Sequence, residues 1–513
     1  MADFMFVPRL RTLYRPLLAA MLSVGLAACS FAPTYHAPKM NLPNAFQGNA
    51  PAHASQWHPF DADAGKARGA WWLAFDDATL DALEPRVVAA NPTVQAAVAH
   101  HDASVTTLRV IGASLLPTLG FEGAVDRQRQ SDTRPLRGST QPDEYNDASV
   151  KLGVNYDLDL WGRERNRLAA GRAMAGAAAD DLAALQLDMQ ATLANTYFQW
   201  RGAAATIGVL DRTIAAYQHA LRLTMSRYNG GLATKIDVSR ARTQLADAQA
   251  QRIDAQGQCD LLRNAMATLV GVTPEQFVLP TVGQSVAATV HTALHVGSAP
   301  DDLMRVPLPI TPTGLPSTLL QRRPDIAAAE RRVAAANADI GVARAAYFPD
   351  IGLGLSGGYE SDTMANWLAA PNAVWMLGPS VAATIFDGGR RHAEVLGAKI
   401  AREQAADRYR ATVLKAFQEV DDQVDLEQVL ANEAVRVNDM RAAAAQTLVL
   451  ATVRYRDGAS DYLNVVTAQQ AALQAEEKAR TLRVRQLQAA VSLIQALGGG
   501  WQQGALPKPP LAS

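Results

Sequence analysis

The chain has 513 residues, with 48 Lys and Arg against 49 Asp and Glu and a formal net charge of −1. Charge this balanced and dispersed leaves no basic footprint for nucleic acid, and two cysteines, Cys29 and Cys259, exclude a disulfide framework. No run of about twenty apolar residues follows the N-terminus, so no membrane-spanning helix is expected.

Residues 1–28 read as a cleaved leader. Arg9, Arg11 and Arg15 precede an apolar run from Leu17 to Ala28 that ends in Leu26-Ala27-Ala28-Cys29. Asp3 is unusual in a basic leader, which leaves Met1 and Met5 as alternative starts. The Leu-Ala-Ala-Cys string resembles a bacterial lipobox. That implies cleavage before Cys29, acylation of its thiol and amine and, with Ser30 rather than Asp following, delivery to the outer membrane. An ordinary secretory signal with a chance Cys is the plainer alternative. Acyl chains add roughly 0.8 kcal/mol per buried methylene, so they anchor without spanning. Cys259 is then a free thiol that packs between helices.

Residues 29–90 open with Pro33-Thr34-Tyr35-x-x-Pro38 and continue through Pro43, Pro51 and Pro59 as a tether with little periodicity. The pair Trp71-Trp72, with Phe75, is expected to pack in a core or interface. Asp76 or Asp77 is expected to cap a helix reaching Ala90, which Pro85 should kink or delay.

Short alternating segments follow. Val150, Leu152, Val154, Tyr156 and Leu158 share one face of a strand, with Ser149, Lys151, Gly153, Asn155 and Asp157 on the other. Leu119, Phe121 and Val125 alternate with Glu122, Ala124 and Asp126. Later in the chain Ile351, Leu353, Leu355 and Tyr359 form a similar row, and Trp375, Leu377, Val381 and Ile385 form the last. This is the signature of transmembrane β-strands, although a half-buried soluble sheet shows it too. The loops 127–147 and 361–372 are polar enough to face solvent. Four strands cannot close a membrane barrel, and an open edge in lipid is forbidden. Eight strands from two chains leave an interior filled by side chains, whereas twelve from three leave room for a pore, so counting favours a homotrimer.

From Gly162 to Gly271 the pattern predicts two long antiparallel helices joined at Tyr228-Asn229-Gly230-Gly231. No proline interrupts residues 162–229, whose 68 positions would span on the order of 100 Å. Ile207, Ile214, Leu221 and Tyr228 recur at heptad spacing, with Leu210 and Tyr217 between them. The second half of the chain repeats this stretch. Arg227-Tyr228-x-x-Gly231 returns as Arg454-Tyr455-x-x-Gly458, 227 positions later, and Val270-Gly271 returns as Leu497-Gly498. Asn91-Pro92 matches Arg323-Pro324, and Pro117-Thr118-Leu119-Gly120 matches Pro349-Asp350-Ile351-Gly352, both at an offset of 232. The chain is therefore a tandem duplication: a first repeat at 91–271, a connection at 272–320, a second repeat at 321–498 and a tail at 499–513. The fold class expected is α+β, with duplicated long helical hairpins and four membrane strands per chain.

Several strings together carry a resemblance. They are Cys29 with Pro33-x-Tyr35-x-x-Pro38; Trp71-Trp72-x-x-Phe75; Tyr156-Asp157-Leu158-Asp159-Leu160-Trp161-Gly162-Arg163; Gly314-Leu315-Pro316-Ser317 running on to Arg323-Pro324-Asp325-Ile326; Phe386-Asp387-Gly388-Gly389-Arg390; and the two Arg-Tyr-x-x-Gly turns. With them the chain resembles the TolC-like outer membrane efflux proteins, OprM/NodT lipoprotein subgroup, over nearly its whole mature length. The resemblance implies a homotrimeric conduit with a twelve-stranded β-barrel in the outer membrane and an α-helical barrel in the periplasm. It further implies a periplasmic membrane-fusion adaptor, an inner-membrane pump of the RND class or similar, and no cofactor. It assigns Arg227, Tyr228, Gly231, Arg454, Tyr455 and Gly458 to adaptor-docking tips, although helix capping alone accounts for the glycines. It suggests that Tyr228 and Tyr455 join a hydrogen-bond latch, for which packing at the helix seam is an equal explanation. It also makes Asp461 a candidate gate residue. Asn464 and Thr467 stand where relatives often carry Asp, and simple helix capping by Asp461 is the rival reading.

Two matches point toward chemistry. Gly354-Leu355-Ser356-Gly357-Gly358 fits the hydrolase Gly-x-Ser-x-Gly elbow, but that motif needs a strand-to-helix turn and here sits within an alternating strand. His100-His101-Asp102 lacks a complementary metal-binding cluster, and adjacent helix residues do not face one another. The reading is thus a passive channel rather than an enzyme, with a duct for type I protein secretion or a non-channel coiled-coil scaffold as alternatives.

Overall fold

The computed structural model describes residues 30–40, 57–59, 70–131, 143–279, 302–310, 322–363 and 365–500. In chain order the elements are β1 (Trp57–Pro59), α1 (Ala78–Ala90), α2 (Pro92–Ala113), β2 (Thr118–Arg129), β3 (Glu144–Asp157), α3 (Arg163–Asn229), α4 (Lys235–Leu269), β4 (Leu308–Ile310), α5 (Pro324–Ala345), β5 (Asp350–Ser361), β6 (Ala373–Ala382), α6 (Arg390–Arg456) and α7 (Tyr462–Ala496). The duplication is literal in length. α2 and α5 have 22 residues each, α3 and α6 have 67, and α4 and α7 have 35. Among the described residues no helix is long and apolar enough to cross a membrane.

The chain divides into two compact units that cut across the repeats. One takes the N-terminal stretch through Lys39, Asp102–Ala178 and Ala329–Tyr409; the other takes the rest. The first unit holds one antiparallel sheet in the order β2-β3-β5-β6. The two hairpins therefore join through β3 and β5, one strand from each repeat, with Gly153 facing Ser356. The register puts Leu119, Phe121, Leu152, Val154, Leu355, Trp375 and Leu377 on one face. That face is bare in the single chain: Phe121 is 71% exposed and Trp375 80%. The opposite face carries Glu122, Lys151, Ser356 and Glu360, with a Lys151–Glu360 ion pair of 2.8 Å crossing from β3 to β5.

Some expectations shift. The first hairpin runs farther than its apolar alternation, so Arg127–Arg129 and Glu144–Asp147 are strand rather than loop; an Arg127–Glu144 ion pair of 3.0 Å sits on that extension. Conversely, β6 stops at Ala382, and Ile385 lies beyond it at 97% exposure. Ser356 lies inside β5 with no helix following, and Gly358 has its own reason: a Cβ there would fall 1.9 Å from the Val150 carbonyl oxygen. Beside the sheet, Ser30–Lys39 runs along α5. Arg344 donates to the Phe31 carbonyl at 3.0 Å, Asn337 donates to the Pro33 carbonyl at 2.7 Å, and Phe31 stacks on Phe348 with ring centroids 4.4 Å apart. Gly341 makes room for this segment, because a Cβ there would lie 2.8 Å from that of Ala32.

The second unit is built around a core of Trp71, Phe75, Leu80 and Leu83 against Leu193, Phe198, Met266, Leu487 and Ile494. Trp71 and Trp72 are buried there, as expected of packing residues. Asp77 is the N-cap of α1 and accepts from the Thr79 and Leu80 amides at 3.0 and 3.1 Å. It also accepts from the Tyr197 hydroxyl and pairs with Arg201. Pro85 lies within α1, which starts at Ala78 without delay. The heptad seam of α3 buries Ile207, Leu210, Tyr217 and Thr224, while Tyr228 at its end is 44% exposed. Ala241, Ala248 and Ala255 on α4, and Ala468, Ala475, Leu482 and Ala489 on α7, are buried seven residues apart. The alanines among them let helix backbones approach closely.

The C-terminal ends of α4 and α7 close on glycines that admit no side chain. A Cβ on Gly271 would lie 2.1 Å from the Ala90 carbonyl oxygen, and one on Gly498 would lie 2.1 Å from that of Arg322. At Gly231, of similar positive φ, a Cβ would meet nothing within 4 Å. The left-handed conformation alone costs an alanine about 1–2 kcal/mol; backbone overlap comes on top at the first two sites. Thermal melts of detergent-solubilised protein should therefore show Gly271→Ala and Gly498→Ala lowering the midpoint well beyond Gly231→Ala.

Candidate functional site: the helix tips and their roots

Both long helices end in the same way. At the first tip the Leu232 amide donates to the Arg227 carbonyl at 2.8 Å and the Gly231 amide to that of Tyr228 at 3.0 Å. At the second, Ala459 donates to Arg454 at 2.9 Å and Gly458 to Tyr455 at 3.1 Å. This is the Schellman arrangement, which needs a left-handed residue just past the helix end; Gly231 and Gly458 supply it at φ +75° and +74°. Arg227 and Arg454 occupy the last helical turns, where a cation suits the helix dipole.

The two tips are joined by Arg227. Its guanidinium donates to the Tyr455 carbonyl at 3.1 Å and to the Arg456 carbonyl at 3.2 Å, and lies 4.3 Å over the Tyr455 ring. Those carbonyls belong to the last turn of α6, so Arg227 satisfies part of a helix end in the other repeat. Within the single chain the tyrosine latch is not formed. The Tyr455 hydroxyl is buried without a hydrogen-bond partner, and Tyr228 is exposed. Tyr455 instead packs on Tyr462, centroids 5.3 Å apart, within a cluster that includes Ala241, Val465 and Val466. Burial, with Tyr455 adjacent, pushes the Tyr462 hydroxyl up to about 12, so that ring stays neutral.

The helices leaving the tips start differently. Thr234 and Asp237 make a full capping box on α4, with Asp237 N to Thr234 Oγ1 at 3.2 Å and Thr234 N to Asp237 Oδ2 at 3.0 Å. Their counterparts on α7 are Asp461 and Asn464. Asp461 is the N-cap residue, yet its side chain makes no cap hydrogen bond. Asn464 donates to Ser460 Oγ at 3.3 Å, and Thr467 donates to the Leu463 carbonyl at 3.0 Å. Asp461, Asn464 and Thr467 are all exposed and stand three residues apart. The remaining sequence-predicted site, Cys29, lies outside the described residues, as does most of the 272–320 connection.

The roots of the hairpins carry residues whose role sequence reasoning missed. Asn91 donates to the Leu269 carbonyl at 2.8 Å and accepts from the Thr93 and Val94 amides, tying the end of α4 to the start of α2. Arg323 holds the same place in the second repeat and is only 8% exposed. It donates to Asp325 at 3.0 and 2.7 Å, to Glu419 at 2.7 Å and to the Ala496 carbonyl at 2.9 Å. The aligned Asn91-Pro92 and Arg323-Pro324 were the available signal, since Pro at the first helical position marks the residue before it as the cap.

The profile of the family described as outer membrane efflux protein matches residues 85–272 and 315–499, once over each repeat. The chain is 31% identical over 486 residues to the antibiotic efflux pump outer membrane protein ArpC of Pseudomonas putida, covering 93% of this chain and 94% of that one. It is 31% identical over 457 residues to the pyoverdine export outer membrane protein OpmQ of Pseudomonas aeruginosa, covering 88% and 92%. Among solved structures it is similar to the open state of the Neisseria gonorrhoeae MtrE outer membrane channel, with a TM-score of 0.77 and 26% identity over 93% of this chain and 99% of that one. Two profile matches on two corresponding sets of helices and strands, and relatives aligned nearly end to end, make this chain a member of the outer membrane efflux protein family.

Proposed function

We propose that three copies of the chain assemble into one conduit, each giving four strands to a twelve-stranded barrel in the outer membrane and its long helices to a periplasmic duct. As an outer membrane efflux protein the chain is the outer-membrane channel of an efflux system, in which substrate passes without any bond being made or broken. The observation that carries the assembly is the sheet of the first unit. It is apolar and bare on one face, polar on the other, and ends in β2 and β6 edges that have no strand partner among the described residues. Hydrocarbon tolerates such a sheet only once its edges are closed.

Lipid attachment at Cys29 fits the docked segment that follows it. Phe31 stacks on Phe348, which in turn stacks on Trp161 at 4.9 Å, just before β5 begins. An acyl group on the preceding residues would therefore leave from the start of the sheet. The tips Arg227, Tyr228, Gly231, Arg454, Tyr455 and Gly458 are assigned to a periplasmic membrane-fusion adaptor that links the channel to an inner-membrane pump of the RND class or similar. Asp461, with Asn464 and Thr467, is assigned to the periplasmic aperture. Support for this comes from the cap geometry, because the Asp461 carboxylate is not engaged in starting its own helix.

A bulky residue at the second tip tests docking. A Cβ on Gly458 would meet nothing within 4 Å, so the strain is that of φ +74° alone. Gly458→Trp should leave heat-modifiable trimers intact while abolishing resistance to exported compounds; normal resistance would remove the docking role. Asp461→Ala trimers in planar bilayers should lose preference for cations over anions. Unchanged conductance and selectivity would remove Asp461 from the aperture.

A further inference from the structure

The first hairpin stays paired beyond its apolar rows, as far as Arg129 and Glu144, and its apolar face changes character there. Along β2 that face runs Leu119, Phe121, Gly123 and Val125, then Arg127 and Arg129. Opposite the two arginines on β3 stand Asn146 and Glu144. The duplication fixes the height of the change. β2 and β5 match at an offset of 232, Leu119 with Ile351, so Arg127 corresponds to Tyr359 and Arg129 to Ser361. Tyr359 is the last aromatic residue on its face before the hairpin connection. An aromatic ring at that place in a membrane strand sits at headgroup level, above the hydrocarbon. In the first repeat, guanidinium groups occupy that level.

This end of the sheet points away from the periplasm. Helices adjoin the strands at Thr118, Asp157, Asp350 and Ala382, whereas Arg129 and Glu144 lie at the opposite ends of β2 and β3. With the helices on the periplasmic side, the two arginines meet the outer leaflet. The lipid of that leaflet in a bacterial outer membrane is lipid A, a phosphorylated disaccharide. The charges are also unequal. Glu144 pairs with Arg127 at 3.0 Å, but the side chains are 74% and 55% exposed, and so exposed a pair holds weakly. Arg129 forms no ion pair among the described residues, so one carboxylate stands against two cations. A pair that merely fastened the hairpin would account for Arg127 and leave Arg129 without a role. Two residues apart on one face, the arginines have Cα atoms about 6.8 Å from each other. Both forks can therefore reach one phosphate, the anion that guanidinium geometry suits.

We propose that Arg127 and Arg129 bind a phosphate of lipid A on the lipid-facing side of the sheet. The inference rests on the reading of the bare apolar face as the one that meets hydrocarbon, and it adds a specific lipid to that face.

Native mass spectrometry of the full-length protein in detergent, titrated with lipid A, tests this. A basic side chain near an anionic surface contributes roughly fivefold in affinity. Arg127→Gln and Arg129→Gln should each weaken binding by about that factor, and the double variant by roughly 25-fold if the two act independently. Lys151→Gln removes the same charge from the opposite face and should change nothing. Glu144→Gln should strengthen binding, because it frees Arg127 and takes a carboxylate off the site. Lipid A stripped of its phosphates should bind the wild type and the double variant alike. Equal affinity of the wild type for the two lipids overturns the proposal, as does a double variant that binds phosphorylated lipid A as the wild type does. Displacement of lipid A by inorganic phosphate at equal concentration would make this a site for free anions, and overturns it too. Protein that stays monomeric in solution without detergent overturns instead the reading of the apolar face beneath it.

Discussion

A peptide group cut off from both water and a partner costs several kcal/mol, more than most side-chain contacts contribute. The chain answers that constraint at nearly every place where regular structure stops. The four ends of α3, α4, α6 and α7 close with the same pair of backbone bonds, each completed by a glycine in the left-handed region. Where backbone alone does not suffice, a side chain reaches across: Asn91 to the end of α4, Arg323 to the end of α7, Arg227 to the end of α6. Among the described residues the outer edges of β2 and β6 are left without a strand partner. The requirement that shapes the tips is the one on which the proposed assembly of the sheet rests.

Duplication supplied two copies of one backbone, and the copies have since diverged in chemistry rather than in geometry. At the root, a neutral amide in the first repeat corresponds to a buried guanidinium with two carboxylates in the second. Hydrogen bonds to charged groups are worth roughly twice neutral ones, so the second hairpin is fastened more firmly. At the tip the order reverses. The first repeat spends Thr234 and Asp237 on a reciprocal cap, whereas the second starts its helix with no side-chain bond from Asp461.

The glycines show why one residue type serves different ends. Gly231 and Gly458 stand in open space and are required only by the sign of φ. Gly271 and Gly498 lie against carbonyl oxygens of the preceding helix junction, and Gly358 lies against β3, so there the absence of a side chain is a condition of packing. The Gly-x-Ser-x-Gly string in β5 gains its last glycine from strand approach, which is why it resembles a nucleophile elbow without the turn that makes one.

The sequence by itself determined what is local and periodic: the proline-free helices, the alternation of the strands, the capping glycines and the doubling of the whole pattern. Each follows from backbone preferences that act within a few residues. The tips were legible for that reason, and so was the family likeness. Only the tertiary structure decided which strands meet, placing β3 of one repeat against β5 of the other, and only it showed that Arg227 rather than a tyrosine hydroxyl ties the tips together. It also revealed Arg323 as the clamp of the second root, and it ended β6 before Ile385. Those outcomes depend on partners far apart in the chain, 228 residues for Arg227 and Tyr455, and no pattern within a helical turn or a strand's length carries that information.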